Sequence, residues 1–231
     1  RSLAGHGTQI TLHYNKSMKA VKNLKKELES LGSEVFLIKA DLSIMSQTKK
    51  IIPFAYKMMK GLDCLINNAS VFEKDDLVNF SEKGFNKHMA VNLQTPAKLT
   101  QDFKKYLKSK KGNIINIIDQ RIFKLTPFFF SYTLSKTGLQ ALTKTSAMKL
   151  APNIRVNGIA PGPTIKNKRQ TDKHFKKQWK SLILKDKVDP KNICETVKYF
   201  INNDNVTGQI ISVDGGQSLA WQTPDIINTK E

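Results

Sequence analysis

Arginine is scarce in this chain although basic residues are abundant. Of the 38 lysines and arginines only four are arginine, namely Arg1, Arg121, Arg155 and Arg169. Reading base edges and gripping phosphate in bidentate fashion both favour the guanidinium fork. The lysines are also spread along the whole chain, so the formal charge of +19 does not point to a nucleic-acid interface. It reads as a lysine-rich solvated surface or as attraction for a small polyanion. Cysteine is nearly absent: Cys64 and Cys194 lack metal-type or redox-type spacing. That excludes a disulfide framework and a thiolate metal centre, and both thiols are expected to be reduced and structural, with no metal bound. No run approaches the roughly 20 apolar residues that cross a bilayer, and no charged start precedes an apolar stretch. A cytoplasmic chain without a membrane partner is expected. Repeats and low-complexity linkers are missing too, and 231 residues suit one large domain over 1–231 better than two.

What is present is an alternation of short apolar runs with helical periodicity. Thr8 to His13 is strand-like. From the N-cap candidate Ser17, Ala20, Val21, Leu24, Leu28 and Leu31 recur at helical spacing until Gly32. Val35 to Ala40 reads as a strand and Ser43 to about Met59 as a helix, in which Pro53 is irregular. Leu62 to Asn67 and Asn113 to Ile118 are compact runs of the kind that strands buried on both faces require. Helices lie between them, one from near Ser81 through Phe103 and Leu107. Then come a helix at Ser131 to Leu150, a strand at Ile154 to Ile159, a basic segment at Ile165 to Lys187, a helix at Pro190 to Ile201 and a strand at Gln209 to Val213. This order predicts an α/β fold, a doubly wound and mostly parallel, Rossmann-like sheet. Ligands of such sheets bind beyond the carboxyl ends of the strands.

The chemistry-bearing residues fall in those places. Asn67-Asn68-Ala69-Ser70 follows one strand, as a ligand-facing turn or as an ordinary Asn-rich turn. Asp119 follows the next, either reactive or structural. Tyr132 and Lys136 sit one helical turn apart and so share a helix face. Asn157-Gly158-Ile159-Ala160-Pro161-Gly162 closes the strand after that.

The order Asn67-Asn68-Ala69, Asn92, Tyr132-x-x-x-Lys136, Arg155-Val156-Asn157, Pro161-Gly162 and Val213-Asp214-Gly215-Gly216 resembles the short-chain dehydrogenase/reductase family over essentially the whole chain. The resemblance implies that Tyr132 gives or takes the proton, that Lys136 holds the nicotinamide ribose and that Asn92 supports a water-linked proton path. An unperturbed phenol is a poor acid-base group at neutral pH, and a nearby ammonium is expected to favour its ionised form. The family also implies a homotetramer.

One departure narrows the resemblance. Where the family carries a serine that bonds the substrate carbonyl, this chain has Asp119, which resembles the pteridine and dihydropteridine reductases. An acid there suits reduction of a ring C=N bond, where carbon takes hydride and nitrogen takes a proton, delivered directly or through Tyr132. In that subfamily the aromatic at the place of Phe72 stacks on the pterin; otherwise Phe72 is ordinary packing. His13-Tyr14-Asn15-Lys16-Ser17 contains no carboxylate of the kind that binds a ribose 2′-hydroxyl, and it resembles the subfamily's NADPH segment. On another reading His13 is a packed strand-end histidine and Lys16 a solvated lysine. By the same resemblance Asp41 and Leu42 flank adenine, while Asn68, Ala69, Ser70, Pro161, Gly162 and Thr164 border the cofactor. His174, Phe175 and Trp179 either touch substrate or belong to a solvated amphipathic helix. The expected reaction is NADPH-dependent reduction of a dihydropterin, with a 3-oxoacyl thioester reductase and a non-catalytic NADPH-binding protein as the alternatives.

A second departure is larger. The chain opens on Arg1 rather than Met, Leu3 to Gly7 reads as the end of a glycine-capped helix, and the family's first strand with its Thr-Gly-x-x-x-Gly-x-Gly turn is absent. That strand is central, between those at Thr8 and Leu62, so a fragment with unpaired core backbone is expected. Expressed as these 231 residues, the chain should melt without cooperativity and bind NADPH weakly. A cooperative melt with tight binding overturns this.

Overall fold

A computed structural model describes residues 1–108, 110–167 and 169–221. Of the C-terminal Trp221-Gln222-Thr223-Pro224 motif, the last three residues lie outside them. Strand β1 (Gln9–Tyr14) leads to α1 (Met18–Ser30) and β2 (Glu34–Lys39); α2 (Met45–Thr48) and α3 (Ile51–Met59) lead to β3 (Cys64–Asn67). Next come α4 (Glu82–Met89), a π-helical turn (Ala90–Gln94), α5 (Thr95–Leu107), β4 (Gly112–Ile117) and a 3-10 turn (Gln120–Ile122). The chain continues through α6 (Phe130–Leu150), β5 (Ile154–Pro161), α7 (Asp172–Lys180), α8 (Pro190–Asn202), β6 (Ile210–Val213) and a last 3-10 turn (Gln217–Leu219). The opening Leu3 to Gly7 is a series of turns, closed by Ala4 N–H to Arg1 O and Thr8 N–H to Gly5 O, and not the end of a helix.

Every strand pairing is parallel, but the strands form two sheets, β1-β2 and β3-β4-β5-β6. The break falls between β1 and β3, the two strands expected to flank a central one. Helix α3 packs on both β1 and β2 and against α5, linking the pieces through the core. The alternation of a buried strand is visible in β4: Ile114 joins the cluster of Phe103, Leu107, Ile52 and Val156, while Ile115 faces that of Ile159, Val197 and Phe200. A core thus forms on each face of the larger sheet.

Two prolines explain the local irregularities. The expected Ser43-to-Met59 helix is interrupted after Thr48, and Pro53 becomes the third residue of α3. There its missing N–H is one of those that a first turn leaves without a partner. Pro96 stands near the start of α5, and the turn just before it widens into the π form that carries Asn92. Such turns are rare and often mark functional positions.

Phe103 is fully buried and packs beside Leu107 against Gly112, where a Cβ would meet Leu107 Cδ2 at 2.2 Å. Phe103→Ala should cost about 3–5 kcal/mol, read as a lowered denaturation midpoint. A loss below about 1 kcal/mol would show that this core collapses freely around the cavity.

Candidate active site

Because β3, β4 and β5 run parallel, the segments that follow them open on one edge. Two residues past β4, Asp119 accepts the Arg121 backbone N–H at 2.8 Å on Oδ1, which caps the 3-10 turn. Its Oδ2 accepts the Tyr132 hydroxyl at 2.8 Å. Tyr132 lies in the first turn of α6. Lys136, one turn further on, donates from Nζ to Ile117 O at 2.8 Å and lies 5.7 Å from the centre of the Tyr132 ring. Phenol, ammonium and carboxylate are therefore gathered in one place.

Their electrostatics differ from the expectation that Lys136 would ionise Tyr132. Burial, and then the charge and hydrogen bond of Asp119, raise the Tyr132 pKa well above that of a free phenol. An acceptor carboxylate stabilises the protonated phenol, and low dielectric disfavours the phenolate. The hydroxyl therefore holds its proton. Burial pulls the Lys136 ammonium down to about 8, against a smaller upward pull from Asp119.

The Asn92 side chain is fully engaged within the protein. Its Oδ1 accepts Val71 N–H at 2.8 Å and Ser70 Oγ–H at 3.1 Å, while its Nδ2 donates to Val71 O at 2.9 Å and Ser135 Oγ at 3.0 Å. Four partners saturate the amide. The Asn92 amide thereby fastens the segment after β3 to α6. That segment carries Phe72, whose ring stacks on Phe129 at 4.4 Å between centroids and meets Tyr132 edge-on at 4.7 Å. Phe129 holds φ +60° and ψ +44°, a left-handed conformation costly for a bulky residue.

Three contributors escaped the sequence reading. His88 is 1% exposed: its Nδ1 donates to Gly84 O and its Nε2 accepts Glu73 N–H, which holds the same segment from the other side. Its position four residues before Asn92, on one helix face, was the available signal. The guanidinium carbon of Arg121 lies 5.2 Å from the Phe72 centroid and 5.0 Å from that of Phe129. Arg169 lies 5.3 Å from Phe72 and donates to its carbonyl at 3.0 Å. The very scarcity of arginine made these two worth locating. His174 is exposed and Phe175 is buried within α7, so the basic segment reaches this edge through Arg169.

The expected cofactor residues divide. His13 Nε2 bonds Ala40 O at 2.8 Å, as a packed strand-end histidine would. Tyr14, Asn15, Lys16 and Ser17 form the turn from β1 into α1, and Asp41 lies at the neighbouring end of β2. Ser43 donates its hydroxyl and N–H to Asp41, holding that carboxyl below its ordinary pKa. Leu42 is buried in the core, with its carbonyl accepting from Thr95 Oγ1 at 2.8 Å. Asn67 is buried and bonds Asn116, whereas Asn68, Ala69 and Ser70 are exposed beyond β3. Pro161 ends β5. Gly162 follows with no room for a Cβ, which would meet Asp214 Cα at 2.6 Å, and its carbonyl accepts from Thr164 Oγ1. Arg155 and Asn157 are structural: the guanidinium caps α8 at Phe200 O and Ile201 O, and the amide bonds Val206 O and Gln209 N–H.

A parallel sheet with a tyrosine, a lysine and an asparagine at its carboxyl edge defines a dinucleotide-type oxidoreductase fold. The family profile described as enoyl-(acyl carrier protein) reductase matches residues 1–218. The 3-oxoacyl-[acyl-carrier-protein] reductase FabG of Buchnera aphidicola is 31% identical over 209 residues, covering 88% of this chain and 84% of the relative. FolM alternative dihydrofolate reductase 1 from Brucella suis, solved with NADP, is 40% identical with a TM-score of 0.93 over 97% of this chain and 91% of that one. A short-chain dehydrogenase from Burkholderia cenocepacia shares the fold at a TM-score of 0.86 and 22% identity, over 93% of this chain and 89% of that one. The chain belongs to the short-chain dehydrogenase/reductase family, and it is an oxidoreductase of that family.

The lowered pKa of Lys136 has a signed consequence. Below about pH 8 the folded chain carries a buried ammonium, while the unfolded chain carries a solvated one, so folding is penalised. As pH rises from about 8 towards 10.5 only the unfolded form keeps that proton, and stability rises. The penalty is at most about 3.4 kcal/mol, less what the bond to Ile117 returns. Lys136→Met should therefore be more stable than the parent at pH 7 by on the order of 1–2 kcal/mol, with the gap narrowing at pH 9.5. Denaturant titrations at both values check this; a parent more stable at pH 7 refutes it.

Proposed function

We propose that this chain reduces a C=N bond of a dihydropterin with NADPH, giving the tetrahydro form. The observation that carries the reading is the 2.8 Å bond from the Tyr132 hydroxyl to the Asp119 carboxylate. Reduction of a ring C=N needs a proton at nitrogen, and this pair forms a two-group relay able to supply one. The FolM relatives, named as dihydrofolate reductases and solved with NADP, support the same substrate class and cofactor.

The residues present fit the two ends of the cofactor, the 2′-phosphate and the nicotinamide ribose, while the glycine turn for the pyrophosphate is not among them. The turn of Tyr14, Asn15, Lys16 and Ser17 offers amide, ammonium and hydroxyl donors without a carboxylate, which suits a 2′-phosphate. Asn68, Ala69 and Ser70 leave room beyond β3, and the Lys136 ammonium stands beside Tyr132 to meet ribose hydroxyls. NADPH, when bound, supplies hydride to the ring carbon. For the relay to balance, Asp119 starts protonated. The Tyr132 hydroxyl proton passes to the ring nitrogen as the Asp119 carboxyl proton passes to Tyr132, leaving phenol and carboxylate joined by the 2.8 Å bond. Phe72 borders the flat ring beside Tyr132. Asn92 and His88 keep the Phe72 segment in register.

The FabG relatives favour a second reading, reduction of a 3-oxoacyl thioester. Asp119 speaks against it, since a carboxylate would repel a developing alkoxide that a neutral hydroxyl stabilises. NADPH oxidation by the intact protein with a dihydropterin and with a 3-oxoacyl thioester separates the two. The dihydropterin should be reduced and the thioester left, and Tyr132→Phe and Asp119→Ser should each lower kcat by about 10²–10⁴-fold. Dihydropterin turnover indifferent to Tyr132→Phe would defeat the mechanism.

A further inference from the structure

Arg121 also borders a second space, whose lining does not include Tyr132. A cavity of about 170 Å³ opens between the 3-10 turn after β4, the end of α7 and the last 3-10 turn, lined by Gln120, Arg121, Lys124, Thr126, Ser181 and Gln217 among others. Its lining includes two cations and no carboxylate. The nearby acids are engaged: Asp119 lies across Arg121 and bonds Tyr132, and Asp214 accepts Gly216 N–H and Ser218 N–H.

The donors here are underused. Arg121 gives one Nη1–H to Asp119 at a long 3.5 Å, and its Nε and the Gln120 Oε1 are buried with no hydrogen-bond partner among the described residues. Lys124 Nζ makes one bond, to Ala220 O at 3.0 Å, leaving two donors. Buried polar groups without partners are rare, and these two would meet a group in the cavity only after a small side-chain shift. A Gln amide can also turn its NH₂ toward an acceptor, since its oxygen and nitrogen are assigned from the hydrogen-bond network.

We infer that this cavity receives an anionic group, carboxylate or phosphate, on the substituent of the pterin substrate. The inference rests on the proposed function and sharpens it. Arg121 joins the two places: its guanidinium carbon lies 5.2 Å from the Phe72 centroid and 5.0 Å from that of Phe129, beside the place proposed for the ring, and the residue also lines the cavity. A planar guanidinium suits such a place, because it stacks on aromatics and still grips an oxyanion. The space accommodates a carboxylate or phosphate, and Lys124 adds a second charge-assisted donor. Substrates with an anionic terminus are therefore preferred over those ending in neutral hydroxyls.

The test compares three dihydropterins at saturating NADPH: dihydrofolate with its carboxylates, a phosphorylated side-chain dihydropterin, and a neutral hydroxyalkyl one. Lys124→Gln should raise KM about tenfold for whichever anionic substrate is used, leave kcat within twofold and leave the neutral substrate unchanged. Lys124→Arg should restore KM. Which anionic substrate shows the effect identifies carboxylate or phosphate as the bound group. A parent that does not discriminate anionic from neutral substrates, or a Lys124→Gln variant that weakens all three equally, overturns the inference. Failure to reduce any of the three, with thioester turnover intact, would instead remove the pterin reading and this inference with it.

Discussion

A single amide holds the reactive edge together. Asn92 sits in the widened turn ahead of Pro96, and its four hydrogen bonds join the segment after β3 to the face of α6. Ser135 passes the connection on, since its hydroxyl donates to Tyr132 O at 2.7 Å while accepting from Asn92. The positions of Phe72 and Tyr132 thus depend on one side chain that touches neither ring. His88, one turn earlier, repeats the arrangement at Glu73. Side chains satisfied in this way have well-defined rotamers, which a site needs if reacting groups are to be held to fractions of an ångström.

Around that joint, charge is arranged against its ordinary preference. Tyr132 and Lys136 are almost fully enclosed, so low dielectric weighs against both the phenolate and the ammonium. Asp119 acts on both groups in opposite senses, keeping the phenol protonated and partly sustaining the ammonium.

Much of the fold was legible because it follows from periodicity. The apolar runs of β3, β4 and β5 and the helical spacing of α1, α6 and α8 appear within a residue or two of their expected places. The Tyr132 and Lys136 pair needed only the helix repeat to be brought together. The irregularities were less legible, since they arise from prolines whose effect depends on neighbours: Pro53 fits a first turn, and Pro96 follows a π turn. Individual side-chain roles were hardest to read. Leu42 packs into the core while its carbonyl accepts the Thr95 hydroxyl, and the Asn92 amide is saturated because two segments converge on it. Arg121, Arg169 and His88 gain their meaning only from contacts far apart in sequence.

Phe129 shows how a local penalty shapes the outcome of a reaction. Its left-handed backbone costs roughly 1–2 kcal/mol, and the bonds from its N–H to Asp75 O at 2.7 Å and from Thr133 N–H to its carbonyl at 2.8 Å hold it there. The ring is thereby laid flat against Phe72, with 11° between the planes, covering one side of it. A planar molecule that stacks on Phe72 has only the opposite side available. In the proposed reaction, a ring held that way has the face against Phe72 shielded, so hydride can reach it only from the other.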